Sequence, residues 1–380
     1  MYTLRQYLFT LEDSLGLTRT LGEIELCRHA DGCPIYVSGN RAIVFCIKHK
    51  ERRFALRCYR AHHPYLRAIY GGQLLERELY IYEENRSGRW VDVVLTEWVE
   101  GEDFRIAIDH AARNHDRTLL GLYAERFAGL AQELLKSEQA HGDLKPENII
   151  VTPDGALRLI DFDATYTPQL QGCRPIESGT PSYQHPLRMG DSFGPHIDDF
   201  PAALITTALR ALWLDPTLYD RYGDRDGLLF VPHHLESDEA YAEAMALLAE
   251  NGHALWYRIG ASLRTPTPHI GTLRALFDAL HEAPRKPVGE LELFAERGLW
   301  GFRDEKGVAI SPRYDNGFDF SEGLAAVQVG PRWHFIDEFG RVALRLPPCD
   351  IVKPMRDGRT EMRRGTERLT IDREGRILEN

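Results

Sequence analysis

His141-Gly142-Asp143-Leu144-Lys145-Pro146-Glu147-Asn148 sets out a carboxylate, then an ammonium, then a carboxamide, just ahead of the apolar run Ile149-Ile150-Val151. A carboxylate can take the proton of an attacking hydroxyl. An ammonium can neutralise charge on a transferring phosphoryl group, and a carboxamide oxygen can ligate a hard cation. The spacing suits one loop wrapped around a phosphoryl group. Asp161-Phe162-Asp163 follows after a strand–turn–strand pattern and offers a second carboxylate for a metal. Magnesium needs few protein ligands, because phosphates and water complete its octahedron.

Such groups act only if rigid elements hold them. Leu119 to Glu138 carries apolar residues at i, i+3, i+4 spacing, interrupted by Gly121 and Gly129, and predicts a core helix leading into the loop. Upstream, residues 1–30 read as an amphipathic lead-in with Leu4, Tyr7, Leu8 and Leu11 at helical spacing. Pro34 to Ser38, Arg41 to Lys48 and Arg53 to Tyr59 read as strands, with Gly39-Asn40 as a hairpin turn. Pro64 to Gln73 predicts a short helix ended by Gly71-Gly72, followed by strands at Glu78 to Tyr82 and Trp90 to Glu97. Beyond the loop, helices are expected from Asp198-Asp199-Phe200 onward, at Ala240 to Glu250 and at Gly271 to His281. Val231-Pro232-His233-His234 reads as an ordinary loop without metal partners.

Together these residues resemble the catalytic loop and metal-binding segment of the eukaryotic-type protein kinases. The resemblance covers roughly residues 35–283 and implies an α+β, bilobal protein-kinase-like fold. That fold has a β-rich N-lobe, an α-rich C-lobe and a hinge near residues 98–103, in a domain spanning 1–283. It implies ATP and Mg2+ as cofactors. Asp143 would act as base and Lys145 as the charge-neutralising cation, with Asn148 and Asp161 holding magnesium. Gly39, Arg57, and the backbone of Glu97 and Val99 would meet the nucleotide. His141 belongs to the loop, and Asp198 would brace its backbone. Gly179-Thr180-Pro181-Ser182-Tyr183 resembles the end of a kinase activation segment, with Thr180 beside Asp143 and Lys145, as in serine/threonine kinases.

Several positions depart from that family's pattern. Val37 and Ala42 stand where outer glycines belong, and Ala55-Leu56-Arg57 replaces Ala-x-Lys. Arginine keeps the charge but not the compact ammonium geometry. Lys48 is the fallback cation. The expected helix carries no acid, so Glu76 or Glu78 is left to pair with Arg57. Gly142 replaces an arginine, which argues against control by loop phosphorylation. Asp163 replaces a glycine, and its carboxylate would add a ligand or repel phosphate.

After the proline-bounded linker Glu282 to Pro287, short strand patterns and an internal repeat begin. Trp300-Gly301-Phe302-Arg303-Asp304 ends with Gly307, Trp333-His334-Phe335-Ile336-Asp337 with Gly340, and Arg368-Leu369-Thr370-Ile371-Asp372 with Gly375. This resembles the WG repeats of bacterial proteins. The resemblance implies a small all-β module over 288–380 whose tryptophans are core and whose surface docks a partner.

The net charge of −11 argues against nucleic-acid binding. The six cysteines form no CxxC pair, so structural zinc is not expected, and the chain reads as reduced and cytoplasmic. No run is apolar enough for a signal peptide or a membrane span. Three readings stand. One is a Ser/Thr protein-kinase-like phosphotransferase acting on an unidentified protein. The second is a pseudokinase or scaffold that binds nucleotide or a partner without catalysis, suggested by Arg57, the missing helix acid and Asp163. The third is a small-molecule kinase.

Overall fold

The computed structural model describes residues 1–83, 87–189, 192–223 and 226–378. The protein is α+β, with several small antiparallel sheets and a β-rich carboxy-terminal module. It begins with helix α1 (Leu4–Glu12), whose start is fixed by a capping box between Thr3 and Gln6. Strands β1 (Glu25–Leu26), β2 (Tyr36–Ser38), β3 (Ala42–His49) and β4 (Arg52–Tyr59) follow, then helix α2 (Leu66–Tyr70), β5 (Leu74–Tyr82) and β6 (Gly88–Glu97).

These strands form one antiparallel sheet in the order β1-β3-β4-β6-β5, with β2 also on β3. The lead-in helix covers one face of it. Tyr7 and Leu11 bury against Ile43, Phe45, Ile47, Leu56, Ile81 and Val93, which is the apolar burial that stabilises both partners. A tight hairpin joins β2 to β3 where Gly39-Asn40 is expected to turn, with Ser38 opposite Ile43. The Gly39 N–H donates to the Ala42 carbonyl at 2.9 Å across Asn40 and Arg41, and neither Gly39 nor Asn40 has a positive φ. The predicted helix at 64–73 shortens to α2 and a 3-10 turn over Gly71–Gln73.

A helical region comes next. Strand β7 (Glu102–Asp103) leads into α3 (Phe104–Arg113), a helix not anticipated, capped by Asp103 Oδ1 accepting from the Arg105 N–H at 2.8 Å. Helix α4 (Arg117–Lys136) follows. Strands β8 (Ile149–Val151) and β9 (Leu157–Leu159) join β7 in a three-stranded sheet around the loop at 141–148. Helices α5 (Asp199–Leu214), α6 (Thr217–Tyr222), α7 (Glu239–Glu250), α8 (Ala254–Ser262) and α9 (Leu273–Leu280) complete the region.

Helix α5 is apolar around most of its circumference and lies at the centre, against α4, α7 and α8. Gly121 has a packing reason: a Cβ there would lie 2.8 Å from the Trp213 ring of α5.

The tail contains β10 (Glu292–Glu296), β11 (Leu299–Asp304), β12 (Gly307–Tyr314), β13 (Asn316–Gly317), β14 (Ala325–Val329), β15 (Arg332–Ile336), β16 (Val342–Arg345), β17 (Ile351–Val352), β18 (Arg359–Arg364), β19 (Glu367–Asp372) and β20 (Ile377–Leu378). They build three successive antiparallel sheets, β10–β12, β13–β16 and β17–β20.

The repeated aspartates close the repeated turns. Asp304, Asp337 and Asp372 each accept from the N–H two residues on, at 2.8, 2.9 and 3.0 Å. Asp315 and Asp350 likewise accept from the Gly330 and Gly365 N–H groups, each at 2.7 Å.

The module is not loosely tethered. Arg285 in the linker forks onto Asp304 at 2.6 and 2.8 Å. Ala249 and Ala254 share a core with Phe302, Ile310, Val327 and Ile336. His334 Nε2 lies 2.8 Å from the Ala249 carbonyl, and Arg258 pairs with Asp315. No helix among the described residues is long and apolar enough to cross a membrane.

Candidate functional site

The loop at 141–148 hangs between the end of α4 and β8. Asp198, one residue ahead of α5, holds its backbone. Its Oδ2 accepts from the His141 N–H at 2.5 Å and its Oδ1 from the Gly142 N–H at 2.9 Å. Burial raises the Asp198 carboxyl, an effect only partly offset by His141, those two N–H groups and Arg188. His141 Nε2 reaches the Ile160 carbonyl at 2.8 Å, so that nitrogen carries the proton.

Gly142 sits at a φ of 83°, and a Cβ there would lie 2.0 Å from the Ala164 carbonyl oxygen. The absent arginine is therefore a consequence of close backbone approach. A cation does reach this place from elsewhere: Arg188 Nη1 donates to the Gly142 carbonyl at 3.1 Å.

Asp143 is the centre of a compact polar cluster. The Thr180 N–H donates to its Oδ1 at 2.6 Å, and Asn148 Nδ2 to its Oδ2 at 3.0 Å. Lys145 Nζ lies 3.5 Å from Oδ2 and donates to Thr180 Oγ1 at 2.9 Å. Asn148 Nδ2 also donates to the Asp143 carbonyl at 2.8 Å. Both its contacts use the amide nitrogen, which leaves the amide oxygen as the atom for a cation. A carboxylate so placed can still accept a proton, since each oxygen carries a second lone pair.

Asp161 has a φ of 61°, a left-handed conformation unusual for a non-glycine residue. Its Oδ1 accepts from Arg57 Nη1 at 2.8 Å, and the same nitrogen donates to Asp163 Oδ2 at 2.7 Å. Asp163 Oδ1 accepts from the hydroxyls of Tyr59 and Tyr70, both at 2.7 Å. Burial opposes the Arg57 charge, but Tyr70, Asp161, Asp163 and Tyr59 outweigh it and raise its pKa.

Arg57 therefore finds its acids in Asp161 and Asp163, not in Glu76 or Glu78. Glu76 pairs with Arg67 at the surface. Glu78 is buried and accepts from the backbone N–H groups of Arg19, Thr20 and Leu21, at 3.1, 2.8 and 2.8 Å. Lys48 is not a substitute cation here. It pairs with Glu51 at 2.9 Å, at the far end of the β3–β4 hairpin.

Of the other residues expected at the nucleotide, Gly39 lies in the β2–β3 turn, and Glu97 and Val99 lie at and just beyond the end of β6. Arg60 holds the Gly39 carbonyl at 3.2 Å and the Ser38 hydroxyl at 2.8 Å. Beside them, Arg41 bridges to Glu177 at 2.9 Å and to the Ile176 carbonyl at 2.8 Å. This ties the β2–β3 turn to the segment before Thr180. Glu97 stands opposite Phe54 across β4 and β6, its carboxylate on Arg52 at 3.2 Å, and Val99 follows just beyond the strand.

The structure thus brings Asp143, Lys145, Asn148 and Thr180 together, with His141 and Asp198 beneath them, and joins Arg57 to Asp161. Sequence reasoning missed the Tyr59–Tyr70–Asp163 anchor. Its trace was the i, i+2 pair of aspartates, since one arginine can satisfy two carboxylates. It also missed His196, Asp199 and His269, whose ligating atoms all lie within 4.8 Å of one another.

Residues 300–333 match the family model of the WG containing repeat. The match spans β11 to the first two residues of β15, from Trp300 to Trp333. No curated protein matches the chain. Trp333 is buried and donates through Nε1 to the Asp350 carbonyl at 3.2 Å. Trp300 is only half-buried, on the edge of the core shared with α7 and α8.

Proposed function

We propose that the chain is an ATP- and magnesium-dependent phosphotransferase of bilobal, protein-kinase-like design. It acts on a Ser/Thr hydroxyl, and its WG repeats dock a partner protein. The observation that carries this reading is the cluster of Asp143, Lys145, Asn148 and Thr180, held from below by Asp198.

In this reading Asp143 orients the acceptor hydroxyl and takes its proton as it attacks. Lys145 stabilises negative charge on the transferring group. The oxygens of Asn148 and Asp161 form an all-oxygen donor set that fits magnesium; held there, the cation would supply positive charge against the nucleotide phosphates. Arg57 contributes a planar fork suited to phosphate, provided it exchanges one of its two carboxylates for it.

A second reading is favoured by a specific observation. With Arg57 on both Asp161 and Asp163, the arginine neutralises the carboxylate that magnesium needs. A pseudokinase that binds nucleotide or a partner without transfer would keep that pairing.

Incubation of the purified chain with labelled ATP, magnesium and a generic Ser/Thr substrate mixture decides between them. Label on substrate or on the chain itself that is lost in Asp143→Ala supports phosphotransfer. Equal label on both proteins, or none despite a nucleotide-induced thermal shift, favours the pseudokinase.

A further inference from the structure

We propose that His196, Asp199 and His269 form a binding site for a divalent transition metal, with zinc the cation that it fits best. Asp199 is the first residue of α5. His196 lies in the segment leading into that helix, and His269 lies just ahead of α9. The fold brings together groups that are 70 residues apart. His269 Nδ1 is 3.0 Å from Asp199 Oδ2, and His196 Nδ1 is 3.6 Å from Asp199 Oδ1.

Zinc–ligand distances near 2.0–2.1 Å put tetrahedral ligand atoms about 3.3 Å apart. The separations to the two Asp199 oxygens straddle that value, and one ligand atom from each of the three residues lies within 4.8 Å of the others, so rotation of the exposed imidazoles would close them on a common centre. Two imidazoles and a carboxylate also discriminate by chemistry. Magnesium and calcium take oxygen ligands, whereas imidazole suits zinc and its neighbours.

The burial pattern suits a metal site as well. The Asp199 side chain is 4% exposed, while those of His196 and His269 are 54% and 53% exposed. The carboxylate is oriented from behind by the Ile270 N–H, which donates to Oδ2 at 2.8 Å. The rings face solvent and can turn. Their centroids are 3.7 Å apart.

A single His–Asp hydrogen bond accounts for His269 but not for the His196 ring, which lies tilted by 37° against it. The site opens into a cavity of about 520 Å³ lined by Glu138, Tyr166, Lys136 and Arg274. Lys136 is drawn off to Asp278 at 3.0 Å. Three protein ligands leave a fourth position on the cavity side, for water or a small anion.

Occupancy would have a structural consequence. The metal would tie the start of α5 to the segment before α9, one residue from Asp198, which holds the 141–148 loop.

The test uses the full chain, stripped with a chelator and titrated with Zn2+ against a chromophoric competitor, and with Co2+ for its visible spectrum. We expect one equivalent bound at micromolar affinity or tighter, a tetrahedral cobalt spectrum and a rise in Tm. His196→Ala and His269→Ala should each weaken binding at least tenfold, and Asp161→Asn should leave it unchanged. His269→Gln, which keeps a hydrogen bond to Asp199, serves if an alanine variant fails to fold. Absence of binding, affinity unchanged in the histidine variants, or loss of binding in Asp161→Asn would overturn the proposal.

Discussion

Arg57 Nη1 lies 2.8 Å from Asp161 Oδ1, in the site where the resemblance to kinases expects a lysine to meet phosphate. That nitrogen also reaches Asp163, which two tyrosine hydroxyls hold from its other side. The residue that departs from the kinase pattern at 57 and the residue that departs at 163 are partners. Each makes the other tenable.

Removing one of them should therefore be costly. The Arg57 and Asp163 side chains are 14% and 5% exposed. Arg57→Ala leaves buried charge unpaired and should destabilise the chain by about 3–5 kcal/mol. The double variant Arg57→Ala/Asp163→Ala should recover part of this, with a coupling of roughly 1–3 kcal/mol. Denaturant unfolding of the four proteins measures it. A strictly additive cycle would show that the contact carries no energy.

Under the proposed phosphotransfer, Asp143→Ala should slow label transfer by about 10²–10⁴-fold while keeping the thermal shift produced by ATP. Asp161→Asn should abolish the magnesium dependence of that shift. If both variants behave as the parent does, the two aspartates have no part in nucleotide chemistry.

Gly142→Ala should destabilise the chain, by about 1–3 kcal/mol from backbone strain alone. The positive φ and the contact with Ala164 add in the same direction. Restoring the kinase-like residue with Gly142→Arg should be worse than alanine, not better. Circular dichroism melts of the two variants rank them.

The seam between the helical region and the repeat module should be acid-sensitive. Burial, with Arg210, Arg345 and His334 nearby, pushes His253 down to about 3. His334, whose Nε2 lies against the Ala249 carbonyl, is also lowered, chiefly by burial. A histidine held neutral in the folded state is protonated first in the unfolded state. Its stabilisation is therefore complete above the unfolded pKa near 6.5 and is lost as pH falls from there towards 3. Each such group contributes at most about 1.4 kcal/mol per pH unit in that window. His253→Gln should flatten the profile of unfolding free energy between pH 6.5 and 4. An unchanged slope would remove His253 from the account.

Within the WG repeats the two tryptophans should separate. Trp333→Ala removes a buried ring and should cost about 3–5 kcal/mol, while Trp300→Ala, from a half-buried site, should cost roughly half as much. Denaturant titration monitored by the remaining tryptophan fluorescence checks the order.

The elements were legible where their pattern is local. The periodicity of residues 119–138 marks α4, and the β-branched run at 42–48 marks β3. The aspartate–glycine turns of the tail recur at a spacing that the sheets reproduce. Helix α3 was missed because its start signal, the cap at Asp103, lies inside the acidic run after Trp98. The hairpin at Gly39-Asn40 was legible, but its centre lies one residue further on, across Asn40 and Arg41, where the Gly39 N–H bonds to the Ala42 carbonyl.

At the site, the residue types in the 141–148 loop and at 161–163 were legible, since a single loop keeps its polar groups within a few consecutive positions. Partnership was not. The sequence offered Glu76 or Glu78 as the acid for Arg57, and only the packing that holds Asp163 against Tyr59 and Tyr70 assigns the arginine to Asp163 instead. The same holds for His196, Asp199 and His269. No spacing rule joins groups 70 residues apart, but the helices that converge on α5 put their ligand atoms within 4.8 Å of one another. Local pattern is written in neighbouring residues, whereas the pairing of charges is decided by which surfaces the core brings face to face.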